Sequence, residues 1–204
     1  MIEVDNLSVS KSGQTICAVS SFSLAEGEVA VAVGQNGSGK STFLRVLAGL
    51  ERDYAGKCDV SVASRQRVFV HQTPYLFRGT VWSNVMYGLK AHGVANRDQH
   101  AENWLQRFGI GQLANRGVDQ LSGGEKKRTA LARAFAIGAK LILLDEPFSE
   151  IDDEGTAIIT EVLKSANEAT IVLTTPSDRY QRLESAKELR ITAPAQSAVA
   201  SGKN

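Results

Sequence analysis

Val29-Ala30-Val31-Ala32-Val33-Gly34-Gln35-Asn36-Gly37-Ser38-Gly39-Lys40-Ser41-Thr42 decides the fold. Its first five residues form an unbroken apolar run, the pattern of a strand buried on both faces of a parallel sheet. A glycine-rich loop, Gly34 to Gly39, follows, and a helix is expected from Lys40 to about Leu50. The segment matches G-x-x-x-x-G-K-[ST] in its proper setting, after a strand and before a helix. Glycines let the main chain turn without Cβ clashes, so successive N–H groups of Gly34, Gln35, Asn36, Gly37, Ser38 and Gly39 can point at one phosphate. The helix start adds its positive end. Lys40 supplies a mobile charge for the β- and γ-phosphates, and the Ser41 hydroxyl can ligate Mg²⁺. Thr42 completes the nucleotide-binding set. Many kinds of nucleotide-binding protein carry such a loop, so the rest of the chain must narrow the class.

Leu141-Ile142-Leu143-Leu144-Asp145-Glu146 sets two acids at the carboxyl end of a second apolar strand, the edge where open α/β sheets bind ligands. Asp145 is placed to hold Mg²⁺ through its water shell, and Glu146 to orient or deprotonate an attacking water. Leu121-Ser122-Gly123-Gly124-Glu125 precedes a helix expected to about Ile137. Ser122 and Glu125 fit a capping box. The two glycines between them bare backbone N–H groups at a positive helix end, a second anion site.

The remaining sequence limits the alternatives. Hydrophobic residues make up 43% of the 204 and charged residues 22%, the mix of an ordinary globular domain. The formal charge of +1 gives no basic field to attract nucleic acid. Cys17 and Cys58 have no CxxC spacing and are read as free thiols; His71, His92 and His100 have no zinc-ligand spacing. The start, MIEVDNLSV, has no leader pattern, and no apolar run approaches the roughly 20 residues that span a bilayer. Short strands are expected up to about Glu28, one or two more over 60–70, mostly helix over 75–117, a helix over 154–166 and a strand over 170–174. That alternation is an α/β fold. Residues 194–204 read as a flexible tail.

In order and spacing, GQNGSGKS, LSGGE and LILLDEP resemble the ATP-binding subunits of ABC transporters, over roughly residues 1 to 192. The resemblance implies a P-loop NTPase core with a trimmed antiparallel β-subdomain and an inserted α-helical subdomain at about 73–125, all within one ATP-binding domain, 1–193. It implies ATP and Mg²⁺ as ligands, and a cytoplasmic place, peripheral on the inner face of the cell membrane. The implied partners are an integral membrane permease and a second ATP-binding subunit, identical or not, with no nucleic acid. In such pairs, Ser122, Gly123 and Gly124 of one copy cover the γ-phosphate held by the other. Gln72 takes the place of the loop glutamine that senses Mg²⁺ and water. Asp152, in Ser149-Glu150-Ile151-Asp152, lies in the loop that crosses between subunits. Tyr75, Leu76, Phe77 and Trp82 either face the permease or fill the helical subdomain's own core. Tyr87-Gly88-Leu89 extends a pattern similar to importers of inorganic oxyanions.

Two features depart from the family. Thr175 stands where members usually carry a histidine that contacts the γ-phosphate, and a threonine carries no charge at neutral pH. Lys11, Ser12 and Gly13 occupy the region of the usual adenine-stacking aromatic, with Lys11 as a cation–π substitute. Slow hydrolysis by Glu146, Gln72 and Thr175 is therefore expected. A regulatory, weakly hydrolytic module in a heterodimer or non-transport complex is the alternative.

Overall fold

The computed structural model describes residues 1–176, 183 and 185–191; the expected tail, 194–204, lies outside the described residues. The chain opens with strands β1 (Ile2–Lys11) and β2 (Gln14–Leu24), turned at Ser12 and Gly13. Strand β3 (Val29–Val33) feeds the glycine-rich loop and helix α1 (Lys40–Ala48). Strands β4 (Ala55–Val60) and β5 (Arg67–Val70) follow, then helices α2 (Val81–Ala91), α3 (Arg97–Arg107) and α4 (Gly123–Ala136). Strand β6 (Leu141–Leu144), helix α5 (Asp153–Ser165), and strands β7 (Thr170–Thr175) and β8 (Lys187–Arg190) complete the described order.

The strands form an antiparallel sheet, β2-β1-β4, and a parallel sheet, β5-β6-β7-β3-β8. Side chains on a strand alternate between faces, and here each face feeds its own core. Ala30, Ala32, Leu141, Leu143 and Val172 join α1 and the antiparallel sheet in one cluster. Val31, Ile142, Leu144, Ile171 and Leu173 join residues of α2, α3, α4 and α5 in the other. Burial on both faces is why Val29–Val33 and Leu141–Leu144 read as continuous apolar runs. Within the first cluster, Phe43 of α1 meets Phe22 edge to face at 5.9 Å. Truncating such a buried ring costs about 3–5 kcal/mol.

Helix α1 ends earlier than the expected Leu50. Gly49 adopts φ 75°, its N–H donates to Val46 O, and the N–H of Leu50 reaches back to Arg45 O. That left-handed cap closes the helix. The stretch 75–80, at the start of the expected mostly helical 75–117, is irregular. Part of its backbone is held by Asn84, fully buried in α2, which accepts from Phe77 N (2.9 Å) and donates to Phe77 O (2.9 Å) and Thr80 O (3.0 Å). Thr80 and Ser83 then start α2 with a capping box. Two strands escape the sequence reading. The expectation over 60–70 is met by β5, but β4 lies upstream of it. β8, a polar edge strand, buries only Leu189 of its four residues. Both lack a strong apolar period and are recruited by pairing, with β1 and β3 respectively.

Candidate functional site

Parallel pairing brings four strand ends to one edge. Val33 lies beside Thr175, Leu144 beside Leu173, and Val70 beside Leu144. The loops that follow β3, β6 and β5 therefore converge, as the crevice at the carboxyl edge of an α/β sheet requires. They surround a cavity of about 340 Å³ lined by Asn36, Gly37, Gly39, Lys40, Ser41, Thr42, Gln72, Glu146 and Ile16.

Gly39 caps α1 at φ 94°, and a Cβ there would stand 2.3 Å from the carbonyl of Ile16. A Cβ on Gly34 would stand 2.3 Å from the carbonyl of Ile191. Only glycine fits either place. Lys40, 5% exposed, donates from Nζ to Gly34 O (2.9 Å) and Gln35 O (3.0 Å), and stands 4.0 Å from Glu146 Oε1. Ser38 Oγ is one of two buried side-chain oxygens among the described residues with no hydrogen-bond partner. An orphaned hydroxyl, a buried ammonium and a helix start, all in one glycine-bounded loop, form a donor set suited to a phosphate chain.

Opposite this loop, Asp145 is buried and Glu146 adopts φ 47°. Thr174, fully buried in β7, holds both acids: its Oγ1 donates to Asp145 Oδ1 (2.7 Å) and accepts from Glu146 N (3.0 Å). Gln72 Nε2 donates to Glu146 Oε2 at 3.0 Å. The carboxylate is thus turned toward Lys40 and the cavity. Ser41, Gln72 and Asp145 supply the hydroxyl, amide and carboxylate oxygens that suit Mg²⁺, a cation bound mainly through phosphates and water.

The other sequence candidates lie apart from this cavity. Thr175 ends β7 buried and is not among the cavity's lining. Ser122 caps α4: its Oγ accepts from Glu125 N (3.2 Å), while Glu125 Oε2 accepts from Ser122 N (2.8 Å). The hydrogen bond from Ser122 N holds the Glu125 carboxyl below its usual range. Cβ atoms on Gly123 and Gly124 would each lie 3.9 Å from a Glu150 oxygen, so both glycines sit against the Glu150 loop of their own chain. Asp152 caps α5, accepting from Gly155 N at 2.8 Å. Within one copy, these four residues do not meet the glycine-rich loop's cavity.

The candidate aromatic contacts divide. Leu76 and Trp82 pack on the helical core. Tyr75 (72% exposed), Phe77 and Tyr87 form a surface cluster, with ring centroids 5.6 Å and 4.3 Å apart. Beside them lies a groove of about 400 Å³, lined by Val68, His71, Pro74, Arg133, Ile137 and neighbours.

Residues 18–149 match the family model described as ABC transporter. The chain belongs to the ABC transporter family. It is 35% identical over 193 residues to the tungstate uptake system ATP-binding protein TupC of Peptoclostridium acidaminophilum, covering 89% of this chain and 90% of that protein. It is 39% identical over 166 residues to the sulfate/thiosulfate import ATP-binding protein CysA of Vibrio cholerae, covering 74% of this chain and 44% of that one. The structure of cbiO1 from Clostridium perfringens, part of the ABC transporter complex cbiONQ, superposes with a TM-score of 0.80 at 25% identity, covering 94% of this chain and 84% of cbiO1. A further structure, of an ATP binding subunit of an ABC transporter, shares the fold with a TM-score of 0.83 at 21% identity, covering 95% of this chain and 86% of that one. The chain is an ABC transporter ATP-binding subunit, a class of ATPases that bind ATP, generally with Mg²⁺. Among the described residues no helix is long and apolar enough to cross a membrane.

Near the adenine region of this ABC domain, Lys11 pairs with Glu51 at 3.3 Å, and Ile16 lines the cavity. The tight turn at Ser12 and Gly13 sets Lys11 opposite Gln14, and the returning strand brings Ile16 against Gly39. The outward alternation of β2 was the one sequence signal for Ile16. Thr174 and Lys127 were also missed, because a mid-strand threonine and a mid-helix lysine have no motif of their own.

Proposed function

We propose that this chain is the ATP-hydrolysing motor of an importer for an inorganic oxyanion. Two ATP-binding subunits close head to tail, and Ser122, Gly123 and Gly124 of one cover the γ-phosphate held at Gly34–Thr42 of the other. Asp152 lies in the loop that faces the second subunit. The observation that carries the reading is the Glu146 carboxylate, held by Gln72 at 3.0 Å and facing Lys40 at 4.0 Å across the glycine-rich loop. Glu146 takes a proton from the water that attacks the γ-phosphorus, and the bond to the bridging oxygen breaks as ADP leaves. Lys40 and the loop N–H groups hold the phosphate oxygens. Mg²⁺, held by Ser41, Gln72 and, through water, Asp145, would supply positive charge at those oxygens. Thr175 offers one hydroxyl where a charged imidazolium would bind, so turnover is slow.

The oxyanion cargo rests on similarity to the tungstate and sulfate/thiosulfate proteins. The permease docks on the Tyr75–Phe77–Tyr87 face, which supports a place at the inner surface of the cell membrane. Exposed aromatics beside an apolar groove are the composition of a protein-binding patch. The domain spans 1–193, with its helical subdomain at about 73–125. A weakly hydrolytic subunit in a heterodimer is the second reading, favoured by Thr175 alone.

Phosphate release by the purified full chain, with size-exclusion chromatography in Mg·ATP, tests the proposal. Glu146→Gln is expected to stop turnover, keep ATP bound and run as a dimer. Thr175→His is expected to raise the rate, since an absent electrostatic or acid–base partner typically costs about 10²–10⁴. A fast wild type that Thr175→His leaves unchanged refutes the account of slow turnover. A Glu146→Gln variant that stays monomeric with ATP refutes homomeric closure.

A further inference from the structure

Lys127 sits in α4 and is 3% exposed. A lysine so buried needs its charge answered. Three oxygens answer it, drawn from two functional loops. Its Nζ donates to the carbonyl of Gln72, to the carbonyl of Glu146 (3.2 Å) and to Ser149 Oγ (2.9 Å). Ser149 Oγ in turn donates to the Glu146 carbonyl at 2.9 Å. The side chains of the same two residues, Gln72 and Glu146, meet at 3.0 Å in front of the cavity. One ammonium thus grips the main chain of both members of the pair whose side chains face Lys40.

Burial pulls the pKa of Lys127 down, against the nearby charges of Glu150, Glu146 and Asp145, which push it up. Glu146 also holds a left-handed backbone, φ 47°, that a non-glycine residue keeps only when its surroundings enforce it. Lys127 and Ser149 supply that enforcement from the carbonyl side, and Thr174 from the N–H side.

We propose that Lys127 is a positioning residue for ATP hydrolysis: its ammonium sets Glu146 against Gln72 and ties both loops to α4, the helix capped by Ser122. The inference rests on the ATPase reading above and concerns a residue outside the three motifs that carry it. Without the ammonium, two main-chain oxygens lose a charged donor and the carboxylate is free to drift. A misplacement of about 1 Å costs about 10²-fold in rate.

The test compares the full chain with Lys127→Met, which keeps the stem and removes the donors, and Lys127→Gln, which restores neutral donors. Phosphate release gives kcat and KM, a fluorescent ATP analogue reports binding, and thermal melting reports folding. Lys127→Met is expected to lower kcat by about 10- to 100-fold with analogue affinity within about threefold of wild type, and Lys127→Gln to recover part of kcat. Wild-type kcat in Lys127→Met overturns the inference. So does a fall in kcat, affinity and melting temperature together, which marks a lysine that only supports the fold. Should Lys127→Met not fold, Lys127→Gln decides: reduced kcat with intact affinity supports the inference, and wild-type kcat overturns it. A wild type that binds the analogue yet releases no phosphate refutes the ATPase reading, and the inference with it, before any variant is compared.

Discussion

Replacing Thr174 by valine removes one hydroxyl from a fully buried position and leaves its shape nearly unchanged. That hydroxyl donates to the Asp145 carboxylate at 2.7 Å and accepts from the N–H of Glu146 at 3.0 Å. The first bond involves a charged acceptor and contributes about 1.5–3 kcal/mol. The second, once lost, leaves a backbone donor unpaired at a cost of about 1–3 kcal/mol. The two share one atom and do not add fully, so Thr174→Val is expected to lose about 2–5 kcal/mol of stability. Thr174→Ser keeps both bonds and gives up one methyl, about 1 kcal/mol. Urea unfolding followed by circular dichroism measures the difference. Phosphate release should separate the pair further, because valine frees the backbone of Glu146 and serine does not. A valine variant within about 0.5 kcal/mol of wild type refutes the reasoning, as does a serine variant that falls as far as valine.

Gly39→Ala is expected to abolish binding of a fluorescent ATP analogue and to cost about 1–3 kcal/mol in a thermal melt, since φ 94° and a carbonyl 2.3 Å from the new Cβ both oppose it. Burial pushes the Cys17 thiol up to about 11, so a maleimide at neutral pH should label half-buried Cys58 first, as peptide mass spectrometry would reveal. The Glu125 carboxyl sits below its ordinary 4.5 because Ser122 N–H donates to it. Its contribution is therefore complete above the unfolded value and is lost as pH falls through the lower folded value. The stability gap between wild type and Glu125→Gln should hold flat above about pH 6 and close on acidification below about pH 4, in urea melts.

By itself the sequence determined whatever is written in short local patterns. Unbroken apolar runs marked β3 and β6, because burial on both faces removes any polar alternation. Gly34–Ser41 marked a strand–loop–helix, because no Cβ fits at Gly34 or Gly39 and a helix start follows them. Ser122 and Glu125 announced their helix through a reciprocal cap that spans four residues. Tertiary structure alone decided what depends on partners distant in the chain. The polar strands β4 and β8 exist because β1 and β3 offer them open edges. Ile16 reached the cavity because a hairpin turn fixes which strand returns beneath Gly39. Thr174 and Lys127 became keepers of Glu146 only when parallel pairing and helix packing carried them to it. A hydrogen bond between residues 19 or 28 positions apart leaves no periodicity and no motif, so it is visible only once the chain has folded.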